Sequence, residues 1–176
     1  MATPADVPAI EALMRASIRD IFPAFYDSEQ TASSIHYVAV PDRNLISDRT
    51  YFALHAGPDI VACGGWSRRG LLYTGSGHAA GDHRLLDPAR EAAHVRAMFV
   101  RSDWTRRGLG RRILKACEAA ARAEGFQRLD LMGTLPGIQL YAAYGFREVG
   151  RTQVELPDGV RLECAQMEMA LPPVQS

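Results

Sequence analysis

The stretch from residue 94 to residue 133 places the tightest constraint on the fold. Its first part, HVRAMFV (94–100), is an apolar segment typical of a strand, and its last part, RLDLMG (128–133), is another. Between them, apolar residues at helical spacing predict a helix from Gly108 to about Glu124. Two strands joined by a crossover helix run parallel in one sheet, and the connection is right-handed. The sequence therefore predicts a β-α-β unit, where we expect the chemistry to concentrate.

The rest of the chain predicts further elements of the same mixed sheet. They are a helix that begins at a Thr3–Asp6 capping box and ends near Asp20, a shorter helix over 28–38, strands over 51–56 and 60–69 joined by a turn at Gly57-Pro58-Asp59, a short helix over 136–144, and a hairpin turning at Pro157-Asp158-Gly159. The stretch 67–93 contains four glycines without a sustained period and is predicted to be a binding loop. This order is typical of an α/β protein, and we expect a single domain over 1–176.

Charge and cysteine content exclude several classes of protein. The chain has 20 Lys and Arg residues and 20 Asp and Glu residues, whereas proteins that coat nucleic acid or an acidic membrane carry a broad basic field. Cys63, Cys117 and Cys164 are odd in number and stand in apolar runs, which predicts free thiols in a reducing compartment, the cytoplasm. No run of about 18 apolar residues and no leader pattern occurs, so we expect a chain that is neither exported nor anchored in a membrane.

The loop between the first strand and the helix, RSDWTRRGLGRR (101–112), carries five arginines against the single acid Asp103. Gly108 and Gly110 stand where this loop becomes helix. A helix N-terminus presents unpaired N–H groups and partial positive charge, and glycines let a phosphate approach the backbone closely. The loop therefore predicts a pyrophosphate site, although glycines that end a turn beside solvated arginines are an alternative interpretation. Neither the P-loop pattern nor the dinucleotide fingerprint is present, since the latter needs a glycine at Ile113.

The order of strand, Arg-Arg-Gly-Leu-Gly, helix, strand and LYAAYGF resembles the GNAT acyltransferase superfamily over about residues 3–170, most specifically over 94–146. In that family a loop of the form Gln/Arg-x-x-Gly-x-Gly/Ala binds the pyrophosphate of acyl-coenzyme A. The resemblance implies a mostly antiparallel twisted sheet of about six or seven strands flanked by about four helices, with acetyl-CoA as cosubstrate and no metal. The chain departs from the pattern at Thr105, where the family has Gln or Arg, while Arg106 and Arg107 keep the positive charge.

The resemblance also implies which residues bind the cofactor. The backbone of Met98, Phe99 and Val100 pairs with the pantetheine arm as an added strand would. The turn into the helix surrounds the pyrophosphate with Arg106, Arg107, Gly108, Leu109, Gly110 and Arg111. Thr134 and Tyr144 complete the cofactor side, with Tyr144 toward the adenosine.

A tyrosine in the short second helix is the candidate acid. Pro136 suits the first turn of this helix and Gly145 suits its C-terminal cap. The family pattern places a tyrosine four residues before the glycine of Gly-Phe, which is Tyr141, and implies that its hydroxyl meets the departing sulfur. A half-buried aromatic residue with no role in catalysis is the alternative interpretation.

A general base is useful because an amine must lose a proton before it attacks a thioester, and for a lysine-like amine near pH 7 this costs about 4.6 kcal/mol. Successive side chains of a strand point to opposite faces of the sheet. Along 94–100 this alternation predicts that Val95, Ala97 and Phe99 face the core and that His94 faces the cleft. Some histone-modifying family members carry a catalytic carboxylate at the position of His94. A strand-end histidine bonded to a neighbour is the alternative interpretation, and the rival bases are Glu91, Asp82, His83 and a chain of water molecules.

Two further groups of residues bear on the acceptor side. An acceptor pocket is expected to be lined by Trp66 and Tyr73, together with Phe25 or Tyr26. A second group, His78, Asp82 and His83, shares one loop but matches no template of metal ligands, so no metal site is predicted.

These observations predict an enzyme that transfers an acetyl group from acetyl-CoA to a primary amine, on a small molecule or a peptide, by direct attack in a ternary complex. A non-catalytic acyl-CoA sensor on the same fold is the alternative. A nucleic-acid binder that uses the arginine loop is disfavoured by the neutral overall charge. Family members often dimerise, so the resemblance also implies a homodimer.

Overall fold

The computed structural model describes residues 1–70 and 84–171 of the chain. These residues form the helices α1 (Val7–Ile21), α2 (Ser28–Tyr37), α3 (Arg43–Ser47), α4 (Leu109–Ala123) and α5 (Ile138–Tyr144). They also form the strands β1 (Tyr51–Ala56), β2 (Asp59–Ser67), β3 (Ala93–Val100), β4 (Arg128–Thr134), β5 (Arg147–Glu155) and β6 (Arg161–Ala170). The sequence predicted all of them except the short helix α3.

The six strands form one sheet in the order β1-β2-β3-β4-β6-β5. Neighbouring strands are antiparallel except β3 and β4, which are parallel and joined by α4. The expected mixed α/β fold with a mostly antiparallel sheet is therefore confirmed. Within the described residues, no helix combines the length and the apolar character needed to cross a bilayer.

Helices cover both faces of the sheet and define two cores. One core lies on the α4 side and includes Trp66, Val95 and Ile113. The other lies on the side of α1 and includes Ile18 from that helix and Leu162 from β6. Apolar residues of α1 and α4 recur at helical spacing, so each helix lays one continuous stripe on the sheet.

A bulge in β3 changes which residues face which core. Cys63 pairs with Phe99 and Gly65 pairs with Arg96, so Gly64 alone stands opposite two residues of β3. One of those two is Ala97, whose φ of 52° breaks the regular pleat.

The bulge corrects the prediction for the two faces of this strand. Val95 packs on the α4 side with Met98, whereas Ala97 and Phe99 pack on the α1 side. The expectation that Val95, Ala97 and Phe99 share one face was wrong, because the extra residue shifts the alternation by one position.

The strands β3 and β4 diverge soon after they meet. They pair only at Ala93 with Leu129 and at His94 with Asp130. Beyond that point β3 continues to pair with β2, while β4 pairs with β6. Among residues 1–70 and 84–171, the divergence leaves one edge of β3 without a partner strand and opens the sheet beside the N-terminus of α4.

Candidate active site

The space between the diverging strands is a cavity of about 780 Å³. Protein sites for small ligands usually measure roughly 300–1,000 Å³, so this volume suits one extended ligand or two that meet. Residues of α4 and α5 line one side, residues of α1 and of the β5–β6 hairpin line the other, and residues of β3 and β4 contribute to both. We call the α4 side the donor end and the α1 side the acceptor end.

The donor end contains the N-terminus of α4. Gly108 precedes the helix with a φ of 76°, a left-handed conformation that favours glycine. The first bond of the helix runs from the Arg112 N–H to the Gly108 carbonyl at 3.0 Å, so the N–H groups of Leu109, Gly110 and Arg111 have no intrahelical acceptor. All of these residues except Arg112 line the cavity. The helix N-terminus at which the sequence predicted an anion site therefore faces the cavity, and the anion site itself stays a prediction.

The arginines of the loop occupy different places around this helix end. Arg106 is exposed and lines the cavity, as does Arg111, whose guanidinium lies 5.4 Å from the Tyr144 ring centre. Arg107 instead stacks on Trp104, with 4.5 Å between the guanidinium carbon and the ring centre, and is not part of the lining. Two of the three arginines predicted to meet the pyrophosphate therefore lie where a ligand can reach them.

The unpaired edge of β3 provides the second feature of the donor end. Met98, Phe99 and Val100 all line the cavity. Their partners on β2 occupy only one edge of the strand, and β4 has already diverged from the other. Backbone N–H and C=O groups on an open edge bind extended ligands that carry amides. This geometry fits the predicted contact with a pantetheine arm.

Tyr141 is the tyrosine of α5 that reaches the cavity. It is 9% exposed, lines the cavity and makes no hydrogen bond through its hydroxyl with any described residue. Burial is the main cause that raises the pKa of Tyr141 above its ordinary value of 10, with a smaller effect from Cys117. The hydroxyl therefore keeps its proton near neutral pH and is free to donate it in a hydrogen bond.

Thr134 and Tyr144 were both predicted to contact the cofactor, and the structure separates them. Thr134 ends β4 and lines the cavity. Tyr144 lies outside it, in a shallower groove along α4, where its hydroxyl donates to Glu118 Oε2 at 2.5 Å. Its predicted contact with adenosine would have to use the ring, since the hydroxyl is already bonded.

His94, the candidate base, does not line the cavity. Its Nδ1 contacts Asp130 Oδ1 across the β3–β4 pair, and its side chain is 11% exposed. This is the geometry of a strand-end histidine bonded to a neighbour. The rival Glu91 is held by Arg84, whose hydrogen bond lowers the pKa of that carboxyl to about 2, so it is a poor base. Asp82 and His83 lie outside the described residues.

The acceptor end is built from residues that the sequence did not single out. The described residues that line it are Ser17, Ile21, Phe22, Val38, Val40, Arg96, Met132, Val154, Leu156, Leu162 and Cys164. Most of them are apolar, and they come from five separate parts of the chain. No periodicity in a single segment signals such an assembly.

The aromatic residues predicted to form the acceptor wall are located elsewhere. Trp66 is 1% exposed and packs on Phe126 in the α4-side core. Phe25 is 49% exposed and is not part of the cavity lining. The Tyr26 hydroxyl donates to the Glu163 carbonyl at 2.7 Å and accepts from the Leu135 N–H at 2.9 Å, so it ties two elements together. The prediction for these three residues was wrong, because Trp66 packs in the α4-side core, Phe25 faces solvent, and Tyr26 is bonded to the backbone of other elements.

Tyr73 and the loop histidines and aspartate considered for a metal (His78, Asp82, His83) lie outside the described residues. In residues 1–70 and 84–171, no group of three or more His, Cys, Asp or Glu side chains is arranged to hold a metal ion.

Comparisons with known proteins agree with this geometry. Residues 47–148 match a family model described as the acetyltransferase (GNAT) domain. The match spans more than half of the chain, and the chain belongs to this family. A search of curated proteins finds no match.

Solved structures share the fold at low sequence identity. A GCN5-related N-acetyltransferase from Rhodopseudomonas palustris has a TM-score of 0.73 and 19% identity, over 97% of this chain and 92% of that chain. The PaiA N-acetyltransferase from Thermoplasma acidophilum, in complex with coenzyme A, has a TM-score of 0.65 and 13% identity. That match covers 96% of this chain and 95% of that chain. The yncA protein from Salmonella typhimurium, with its cofactor acetyl-CoA, has a TM-score of 0.63 and 15% identity. Here the match covers 100% of this chain and 94% of that chain.

Proposed function

We propose that this chain is a single-domain N-acetyltransferase that transfers an acetyl group from acetyl-CoA to a primary amine by direct attack in a ternary complex. One observation carries the proposal. A single cavity joins an open strand edge, a helix N-terminus with arginines beside it, and the free hydroxyl of Tyr141. Donor and acceptor can therefore meet in one space, and no covalent enzyme intermediate is required.

The donor end fits acetyl-CoA in three respects. The edge of β3 offers hydrogen bonds to the amides of the pantetheine arm. The first turn of α4 offers N–H groups to the pyrophosphate, and Arg106 and Arg111 add positive charge. Coenzyme A in the Thermoplasma protein and acetyl-CoA in the Salmonella protein, which share the fold, support the same donor here.

The reaction follows from this placement. The amine nitrogen attacks the carbonyl carbon of the thioester, the C–S bond breaks, and coenzyme A leaves as the thiol. A thiol has a pKa near 8.5 and an ordinary phenol near 10, so full proton transfer from tyrosine to sulfur is uphill by about 2 kcal/mol. Burial raises the pKa of Tyr141 further. We therefore assign Tyr141 a hydrogen bond that stabilises the sulfur as charge develops on it, followed by donation of the phenol proton as the C–S bond breaks, and water then returns a proton to Tyr141.

The proton lost by the amine needs a path of its own. His94 contacts Asp130 away from the cavity, and Glu91 is ion-paired with Arg84. We propose water in the open cavity as the proton acceptor, one of the alternatives left by the sequence.

The experiment that tests the proposal combines calorimetry with a thiol-release assay. We expect wild-type protein to bind acetyl-CoA and to release thiol when an acceptor amine is present. Tyr141→Phe should leave the Kd for acetyl-CoA unchanged and lower turnover about ten- to hundredfold, the worth of a hydrogen bond to a charged group. Binding without turnover across a broad amine panel would instead support the non-catalytic acyl-CoA sensor.

Two further expectations belong to the same proposal. Cys63, Cys117 and Cys164 are free and buried, which supports a reducing compartment such as the cytoplasm. The homodimer implied by the resemblance stays a prediction, and sedimentation velocity at several protein concentrations tests it.

A further inference from the structure

Arg96 is a buried guanidinium on the cavity wall. Its side chain is 5% exposed, and its Nη2 lies 2.9 Å from Asp42 Oδ2. That contact lacks the alignment of a hydrogen bond, because both atoms are buried without a hydrogen-bond partner. An arginine has five N–H donors in a planar fork, and buried polar groups in folded proteins are almost always bonded. Among the described residues no hydrogen bond from Arg96 is found, so the guanidinium is incompletely satisfied at the cavity wall.

Asp42 compensates this charge only in part. Its other oxygen, Oδ1, accepts the Asn44 N–H at 2.9 Å and caps the helix α3. Burial lowers the pKa of Arg96 below its ordinary value, and this effect outweighs the opposing attraction of Asp42. The surroundings therefore stabilise the cation incompletely. A carboxylate bound to the remaining donors would complete the stabilisation of the guanidinium cation. Arginine favours a bidentate geometry with carboxylates, in which two N–H groups donate to the two oxygens.

The wall around Arg96 is apolar. It consists of Ile21, Phe22, Val38, Val40, Val154, Leu156 and Leu162. Val40 is 52% exposed, so part of this surface is not covered by the chain itself. Among the cavity-lining residues that the structure describes, the charged ones are Arg96, Arg106 and Arg111. Such a wall attracts an apolar molecule with a negative group and repels a polycation.

The position of Arg96 limits the size of that molecule. Arg96 directly precedes the bulge. Met98 is two residues further on, where the edge of β3 that lines the cavity is open. Two residues of an extended strand span about 7 Å, and the bulge at Ala97 can only shorten this distance. The anionic group and the attacking nitrogen can therefore belong to one small compound.

We propose that the acceptor is a small apolar amine that also carries a carboxylate, for which an amino acid with an aliphatic or aromatic side chain is the simplest example, and that Arg96 binds the carboxylate. The inference rests on the proposed function and assigns Arg96 to acceptor specificity. The nitrogen of this amine forms the new bond to the acetyl carbon, loses one proton, and coenzyme A departs as the thiol.

The test compares matched acceptors in the thiol-release assay at saturating acetyl-CoA. Leucine is compared with 3-methylbutylamine, which lacks only the carboxylate, with leucinamide, whose carboxylate is neutralised, and with spermidine. We expect kcat/KM for leucine to exceed that for 3-methylbutylamine by at least about tenfold, the worth of a hydrogen bond to a charged group. Phenylalanine and 2-phenylethylamine form a second matched pair.

Variants of Arg96 give the second half of the test. Arg96→Met should raise KM for leucine by about tenfold or more and lower kcat/KM for 3-methylbutylamine by much less, so that the preference for leucine is lost, while the Kd for acetyl-CoA changes little. Because this variant buries Asp42 without a partner, the double variant Arg96→Met/Asp42→Asn removes both charges and keeps the fold testable. Arg15→Met, on the surface of α1, is the matched control.

Three results would overturn the inference. The first is a higher kcat/KM for spermidine than for leucine. The second is an equal kcat/KM for leucine and 3-methylbutylamine. The third is an equal loss of kcat/KM on these two acceptors in the double variant. If acetyl-CoA binds but no amine is acetylated, the proposed function fails and calorimetry with N-acetyl-leucine decides the inference separately. The carboxylate site at Arg96 is supported if the wild type binds N-acetyl-leucine but not N-acetyl-leucinamide, and if the double variant no longer binds N-acetyl-leucine. It is contradicted if the wild type does not bind N-acetyl-leucine.

Discussion

A Cβ atom on Gly137 would lie 2.6 Å from Cε2 of Tyr141 and 3.3 Å from the Tyr141 hydroxyl oxygen. Gly137 has a φ of −86°, so close packing and not backbone conformation requires the glycine. A Cβ on Gly133 would approach the same ring at 3.2 Å from the β4 side. The two glycines let the Tyr141 ring lie flush against the backbone and thereby position its hydroxyl at the cavity wall.

Gly137→Ala is expected to displace the Tyr141 ring without disturbing the donor site. A misplacement of about 1 Å in a reacting group can lower rates about a hundredfold, so we expect kcat to fall about ten- to hundredfold with an unchanged Kd for acetyl-CoA. Steady-state kinetics and calorimetry measure the two quantities. Gly150→Ala is the matched control, because a Cβ there meets no atom within 4 Å. Equal kcat in the two variants would show that the position of the ring does not matter.

Arg106→Gln is expected to weaken acetyl-CoA binding about tenfold, because a hydrogen bond between charged groups is worth about 1.5–3 kcal/mol. Arg106 lines the cavity and forms no ion pair with a described residue, so the change removes attraction for the ligand alone. Arg107→Gln is the control on the neighbouring residue, which stacks on Trp104 instead. Its effect should stay near twofold, as for an exposed charge. Calorimetry at two salt concentrations checks both variants, and a larger effect at Arg107 would place the pyrophosphate elsewhere.

His94→Gln is expected to lower the free energy of unfolding by about 1 kcal/mol, because the contact with Asp130 is lost or weakened. Since His94 does not line the cavity, the pH dependence of kcat/KM should keep its shape. Asp130→Asn should lower stability similarly and serves as the control. An inflection between about pH 5.5 and 8 that disappears only in the His94 variant would restore His94 as the general base.

Asp48→Asn is expected to make stability less sensitive to acid. Arg69 donates to both oxygens of Asp48, at 2.7 and 2.8 Å, and these hydrogen bonds lower the pKa of the carboxyl below its ordinary 3.8. Because the pKa of the Asp48 carboxyl is lower in the folded state than its ordinary value, the carboxylate stabilises the fold at pH values above that ordinary pKa. This contribution is lost as the pH falls through the pKa of the folded state. We expect the variant to be about 1–3 kcal/mol less stable at pH 7. Urea unfolding at pH 7, 5 and 3 should show the difference shrinking in acid, and a constant difference would contradict this account.

The start of α1 and the elements of the donor end were predictable from the sequence because their signals are local. The capping box at Thr3 is present, with the Thr3 N–H donating to Asp6 Oδ2 at 2.7 Å. Gly108 stands at the start of α4, where the glycines of the loop indicated a helix N-terminus. Pro136 and Gly145 bracket the short helix that carries Tyr141. Each of these features depends on residues within one or two turns of each other.

The acceptor end was not predictable in the same way. Arg96 meets Asp42 across the core, and Ser17 and Leu162 reach the same cavity from opposite ends of the chain. Such contacts depend on how helices and strands pack, and no spacing within one segment encodes them.

The sequence by itself determined the order of helices and strands, the β-α-β unit, and the glycine turn that exposes helix N–H groups to an anion. Only the tertiary structure decided which residues face the cavity. The bulge at Ala97 shifts the alternation of β3. The short pairing of β3 with β4 places His94 beside Asp130, and the divergence beyond that pair leaves Arg96 at the cavity. The physical reason is that periodicity and capping act through nearest neighbours along the chain, whereas strand register and divergence depend on the packing of both cores at once.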